Sequence, residues 1–333
     1  MSALRAAAFV KGLCAALLAL AGICVGSATP TVAQGWPTKP VRIVNTFAPG
    51  GAAEFLARTI ADGLTRAFGQ TFFVETRAGA AGQIGVQSVL ASPPDGYNFV
   101  ITNVSLLVLA PISNPKLGYD PLRDLANIAY IAGSPIVVSV NPATGIKTLG
   151  DFIGYAKKSD KPLTYSSSGL GSSGHLFAET FAQKAGIKVE HVPYKGAAQG
   201  LMDLVGGHIT FSAQTVASSA ALIRGGSLTA VALTAGERMP DFPDVPTFKE
   251  LGYPDVVHTT WFSLSGPAAL PPEIVTKVNG EIVKTMARPD VQQRLRQEGL
   301  VTEALTPAEF RKLIETETVR WRPALERAGL IEK

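Results

Sequence analysis

VRIVNTFAPGGAAEFLARTIADGLTRAF, residues 41–68, changes its hydrophobic period partway along. Residues 41–47 are β-type, with Val41, Ile43, Val44 and Phe47. Pro49-Gly50-Gly51 is turn chemistry. Leu56, Ile60 and Leu64 then recur every four residues, Phe68 closes that face, and Arg58, Asp62 and Arg66 mark a solvated one. The stretch is therefore a strand, a glycine turn and a helix. Glycine lets backbone approach a ligand without a Cβ in the way. The first N–H groups of a helix lack internal partners and carry partial positive charge. Together these features make a seat for an anion. The alternative is a tight βα connection that binds nothing.

Upstream, residues 1–33 carry Arg5 and Lys11 as their only charges, an uncharged apolar run over 12–25, and Thr31-Val32-Ala33. This pattern predicts a cleaved secretory signal peptide ending near Ala33. The apolar run is shorter than the roughly 20 residues a membrane span requires. Both cysteines, Cys14 and Cys24, fall inside it, so the mature chain is expected to have no disulfide, thiolate or cysteine metal site. Cys24 follows Ile23, a poor match to a lipoprotein site. Losing Arg5 and Lys11 lowers the formal charge of +4 to +2, which gives no case for nucleic acid. No mature segment is apolar enough to span a bilayer. The expected product is soluble and extracytoplasmic.

Downstream, strand-like and helix-like segments alternate. Strands are expected over 71–75, 97–102, 128–140, 189–192, 209–213, 228–234 and 261–265. Between them, Gly79, Gly82 and Gly85 surround a helix start. Thr148 with Asp151 forms a capping box that opens a helix to Lys158, and helices close the chain over 272–286, 290–298 and 307–327. This alternation predicts an α/β architecture with mostly parallel sheets. About 120 residues after the first glycine turn the pattern recurs. A strand over 163–165 leads into Ser166-Ser167-Ser168-Gly169-Leu170-Gly171-Ser172-Ser173-Gly174-His175 and then a helix. Its hydroxyls and exposed N–H groups suit an anion, although a flexible Ser/Gly loop is the alternative. Two such units predict two similar lobes facing one cleft. If both helix starts address one carboxylate, each dipole supplies about 0.3–1 kcal/mol. Hydrogen bonds to the charge add about 1.5–3 kcal/mol apiece. Three or four of them, less ordering costs, reach micromolar affinity without any arginine.

Catalytic patterns are weak by comparison. Gly171 to His175 does not spell the G-x-S-x-G elbow. His175, His191, His208 and His258 show no metal-binding spacing. Gly79, Gly82 and Gly85 do not match the dinucleotide fingerprint, and there is no P-loop. Trp261 reads as core rather than a ligand platform. No enzyme, cofactor or metal is expected.

Seven segments occur in order: WPTKPVRIVNTFAPGGAAEFLAR, VETRAGAAGQIG, PDGYNF, YSSSGLGSSGHL, HVPYKGAAQGLMDLVGGHI, DVPTFKELG and TWFSLSGP. Together they resemble the Bug family, the periplasmic solute receptors of tripartite tricarboxylate transporters, from Trp36 to the C-terminus. The resemblance implies a type II periplasmic-binding-protein fold, with two α/β lobes joined by crossover strands (near 137–141 and 260–265) around a ligand cleft. Lobe I would comprise 36–138 with 260–333, and lobe II 139–259. The resemblance further implies that Phe47, Ala48, Pro49, Gly50 and Gly51 grip a carboxylate together with a second loop. In that second loop stand Ser166, Ser167, Ser168, Gly171 and Ser173. Asn103, His175, Tyr194, Lys195, Gly196 and Ala197 would line the cleft.

Three departures stand out against that family. Glu54 occupies a position where Asp is usual, and either reaches a polar ligand group or complements the helix dipole. Thr76-Arg77-Ala78 replaces Asn-Arg-Pro. Gln214 replaces Asp with an amide that both donates and accepts. The expected function is extracytoplasmic capture of a small organic acid by hinge closure and transient delivery to a membrane permease, by a monomer in the periplasm. A sensing receptor for a signalling partner, or an enzyme acting on a small anion, is the alternative.

Overall fold

The computed structural model describes residues 35–331. The expected signal peptide and both cysteines lie outside them. The opening stretch folds as β1 (Val41–Asn45), an extended turn, and helix α1 (Ala52–Phe68). Leu56, Ile60 and Leu64 are fully buried, while Arg58, Asp62 and Arg66 are exposed, so the period-3.6 pattern places α1 against the sheet. Gly63 lets α1 cross closely over helix α8 (Pro272–Ala287), because a Cβ there would run into the Thr285 side chain.

The first half of the sheet continues with β2 (Phe72–Thr76), helix α2 (Gln83–Leu90) and β3 (Asn98–Asn103). Past Asn103 the chain makes a π-helical turn, Ser105–Leu109, and a short helix α3 (Ala110–Ser113), neither of which the periodicity announces. Strand β4 (Leu125–Val140) is 16 residues long. The second half contains α4 (Leu149–Lys158), β5 (Leu163–Ser167), α5 (Ser173–Ala185), β6 (Val189–Pro193), α6 (Ala197–Val205), β7 (Phe211–Thr215), α7 (Val216–Arg224) and β8 (Thr229–Leu233). The Thr148–Asp151 capping box is present. Strand β9 (Thr259–Pro267) then returns to the first half, followed by α8, α9 (Pro289–Gln297) and α10 (Pro307–Ala328).

The strand order explains this route. In the first half it is β2-β1-β3-β9-β4, and in the second half β6-β5-β7-β4, with β8 on the other edge of β4. In each half three parallel strands end on an antiparallel one that arrives from, or continues into, the other half. Strand β4 pairs with β9 from Leu125 to Pro135 and with β7 from Ile136 to Val140. Strand β4 therefore belongs to both halves, whereas β9 enters from the second half and pairs only within the first. A core of Phe152, Tyr165, Phe181, Phe211 and Phe248 fills the second half. Strand β7 begins two residues later than the sequence reading puts it. Ile209 is drawn into a separate cluster with Leu201 and Leu204, and the shift leaves Gln214 and Thr215 at the strand's end.

Candidate functional site

At the junction of the two halves lies a cavity of about 40 Å³. Four helix starts converge on it: Gly51-Ala52-Ala53 of α1, Ser172-Ser173-Gly174 of α5, Ala197 of α6, and Thr215 with Ser218 of α7. Asn103 and Ser105 at the π-helical turn, and Ile136 of β4 with Thr260 and Phe262 of β9, complete the wall. None of the lining side chains is charged. A concentration of partial positive charge without a cation favours an anion held by N–H and O–H donors.

The first loop is shaped by its strand. Asn45 is fully buried and donates through Nδ2 to the Phe47 carbonyl at 2.8 Å, which turns that oxygen inward. Phe47, Ala48 and Gly51 reach the cavity. Pro49 and Gly50 do not; they form the exposed outer edge of the turn. Gly50 has φ +89°, a conformation that suits glycine, and a Cβ there would lie 3.0 Å from the Ala198 methyl carbon. Glu54 also stands outside the cavity. Its Oε2 accepts from the Gly50 N–H at 2.8 Å, and its Oε1 accepts from Arg58. Those two partners, the Gly50 amide foremost, hold its carboxyl below the usual range. Glu54 therefore complements the start of α1 and does not face the cavity.

In the second loop only Ser168 and Ser173 of the expected residues face the cavity. The others are held elsewhere: Ser166 and Ser167 end β5, and Gly171 lies beyond it. Ser166 points to the other side, under Gly200, where an added Cβ would meet its Cβ at 2.6 Å. Ser167 is a buried hub: its Oγ donates to the Gly169 carbonyl at 3.0 Å, lies 2.6 Å from His191 Nε2, and accepts from Ser172. His175 bends back so that its Nδ1 accepts from the Gly171 N–H at 3.1 Å, and its ring lies 4.3 Å from that of His191. Burial favours the neutral form of both, with His191 lowered to about 4 by burial and by the neighbouring His175.

Gly171, His175, Tyr194 and Lys195 line a second, larger groove beside the cavity. Tyr194 donates to Asp203 at 2.6 Å. Gly196 packs against Ala48 rather than opening to the cavity, and Ala197 next to it is a lining residue. Asn103 and Gln214 both line the cavity. Gln214 is 3 % exposed; its Oε1 accepts from Ser168 at 2.8 Å, and its Nε2 has no partner among the described residues.

Sequence reasoning missed Ser105, Thr215, Ser218, Thr260, Phe262 and the small residues between them. Their signal is not local. The Ser173 N–H donates to Ser105 Oγ at 3.0 Å, and Ser173 Oγ is 2.7 Å from Thr260 Oγ1. The Ala52 N–H donates to Ser218 Oγ at 3.3 Å. Each contact joins the two halves, as does the Ala48 N–H bonded to the Lys195 carbonyl at 3.0 Å. All four run between residues that border the cavity or lie beside it. Among the described residues no group of three or more His, Cys, Asp or Glu could hold a metal ion, and no helix is long and apolar enough to cross a membrane.

Comparison with known proteins gives the geometry its context. The model of the tripartite tricarboxylate transporter family receptor matches residues 56–330. Protein BugT of Bordetella pertussis is 31% identical over 317 residues, covering 94% of this chain and 97% of BugT. Among solved structures, Rpa4515 of R. palustris with adipate superposes with a TM-score of 0.85 at 32% identity, covering 88% of this chain and 98% of that one. MatC of Rhodopseudomonas palustris with bound malate gives 0.83 at 27% identity, covering 87% of this chain and 100% of that one.

Proposed function

Since the chain belongs to the tripartite tricarboxylate transporter receptor family, we propose that it captures a small organic carboxylate in the periplasm by closing two lobes and hands it to the transporter's permease. The fold is that of the type II periplasmic binding proteins. Lobe I is read as 36–138 with 260–333 and lobe II as 139–259, hinged on β4, which pairs in both, and on the chain entering β9. The 1–33 segment is read as the export signal, and the receptor as a monomer that meets the permease transiently.

The observation that carries this reading is the convergence of four helix starts on a cavity with no charged side chain. Two of those starts, at Gly51 and Gly196, have glycine caps with no side-chain acceptor, so apart from the Ala52 N–H that Ser218 Oγ accepts, no cap competes for their first N–H groups. A carboxylate between them accepts hydrogen bonds from both lobes and stabilises the closed state over the open one. The adipate and malate in the two related structures agree with a carboxylate ligand. Nothing in the cavity wall titrates near neutrality, which supports binding without turnover.

Isothermal calorimetry of the 34–333 chain against a panel of short mono- and dicarboxylates is the direct test. At least one should bind with micromolar or tighter affinity and be recovered unchanged. Absence of binding across the panel, or conversion of the ligand, would overturn the reading.

A further inference from the structure

Resting on the carboxylate-receptor reading, we infer that the ligand is a carboxylate bearing no ammonium group, so that the receptor rejects amino acids in favour of their deaminated counterparts. An amino acid needs an acceptor for its ammonium group. The usual provider is a carboxylate, and none lines the cavity. The acids nearest in sequence to the site are committed elsewhere: Glu54 to Gly50 and Arg58, Glu179 to Tyr165, and Asp203 to Tyr194.

The two amide oxygens of the wall are committed too. Asn103 Oδ1 accepts from the Leu106 N–H at 3.1 Å, and Gln214 Oε1 accepts from Ser168 at 2.8 Å. Each amide thus spends its oxygen inside the protein, and its NH₂ is the end left for a ligand. Gln214 is nine-tenths buried and more, and its Nε2 is without a partner among the described residues. Two NH₂ donors and four helix starts form a surface that receives acceptors. An ammonium placed there meets like partial charge, with only hydroxyl and carbonyl oxygens to replace its hydration. The adjoining groove repeats the bias, since Lys195 lines it and, among the described residues, no acid does. Selection against a cation is thus built into the lining and the approach alike.

Matched pairs test this: propionate with alanine, succinate with aspartate, glutarate with glutamate, and phenylpropionate with phenylalanine, each titrated into the 34–333 chain by calorimetry. For whichever pair binds, the deaminated acid should bind about 100-fold or more tighter, the scale of an unpaired buried charge. Asn103→Asp keeps an acceptor for Leu106 and turns a second carboxylate oxygen toward the cavity, so it should shrink that ratio at least about tenfold. An amino acid that binds as tightly as its partner, or a ratio indifferent to Asn103→Asp, would overturn the inference while leaving the receptor reading intact. A protein that takes neither member of any pair overturns both.

Discussion

Gln214 combines full burial, an engaged oxygen and an unengaged nitrogen, and that combination makes it the residue whose loss should be felt most cleanly. Replacing it with Leu removes one hydrogen bond to a charged ligand, worth about 1.5–3 kcal/mol, so affinity should fall roughly 10- to 100-fold. The unliganded melting temperature should move little, because losing the acceptor of the Ser168 hydroxyl is offset by removing a buried donor without an acceptor. Calorimetry and thermal unfolding, run side by side, separate the two effects. Glu54 makes the complementary case. Its carboxyl is held below the ordinary carboxylate range by the Gly50 N–H and Arg58, so the folded state favours the ionised form. The stability this confers is full above the unfolded-state pKa near 4.5 and is lost as pH falls through the lower folded value. Glu54→Gln should therefore be less stable than the native protein at pH 7, and the gap should close below about pH 4. Urea unfolding at the two pH values reads the difference, and a gap that persists in acid would show that the residue acts through packing instead.

At the scale of elements, the turn before α6 presses on the turn before α1. Gly196 has φ 172°, extended backbone that any residue adopts, yet a Cβ there would stand 3.0 Å from both the Cβ and the backbone nitrogen of Ala48. Gly196→Val should fold normally but resist the Ala48–Lys195 contact, at a cost of about 1–3 kcal/mol. Ligand affinity should drop roughly ten- to hundredfold. X-ray scattering should show that saturating ligand compacts the variant less than the native protein. These two turns were legible in the sequence because each lies where a period-2 run meets glycine and then a period-3.6 run. Gln214 was legible as a position, but its role depends on Ser168, 46 residues away. Ser105, Ser218 and Thr260 carried no local mark at all. A serine that will accept an N–H across a cleft looks, in sequence, like any serine in a loop. Glu54 could have been resolved by its i+4 partner Arg58, which fixes the carboxylate at the helix start rather than over the ligand. The second-loop residues turned away from the cavity are fixed by distant partners, Ser166 by Gly200 and Ser167 by His191, which no local pattern announces.

For the molecule as a whole, the exchange of β4 and β9 decides how the halves depend on each other. The long β-rich run to Val140 announces a strand, but not that its first part pairs with β9 and its last five residues with β7, because strand pairing is non-local. The consequence is energetic. Ile136, Val138 and Val140 belong to the core of the second half, with Phe152, Tyr165 and Phe211, and β4 is the strand that separates β7 from β8. A lobe cut at residue 139 therefore leaves two of those core side chains behind. Each buried Val or Ile removed forfeits about 1.5–3 kcal/mol of burial, and β7 and β8 lose the strand that pairs with both. The fragment 139–259 should accordingly fail to unfold cooperatively, whereas 134–259, which restores Ile136 and Val138, should show a sigmoidal urea transition by circular dichroism. The intact chain should unfold in one step, with tryptophan fluorescence, to which Trp261 of β9 contributes, coinciding with circular dichroism. A cooperative 139–259 fragment would mean that the hinge strands merely tether two finished lobes. Closure would then be motion between independent bodies, and not the bending of a strand both halves are built on.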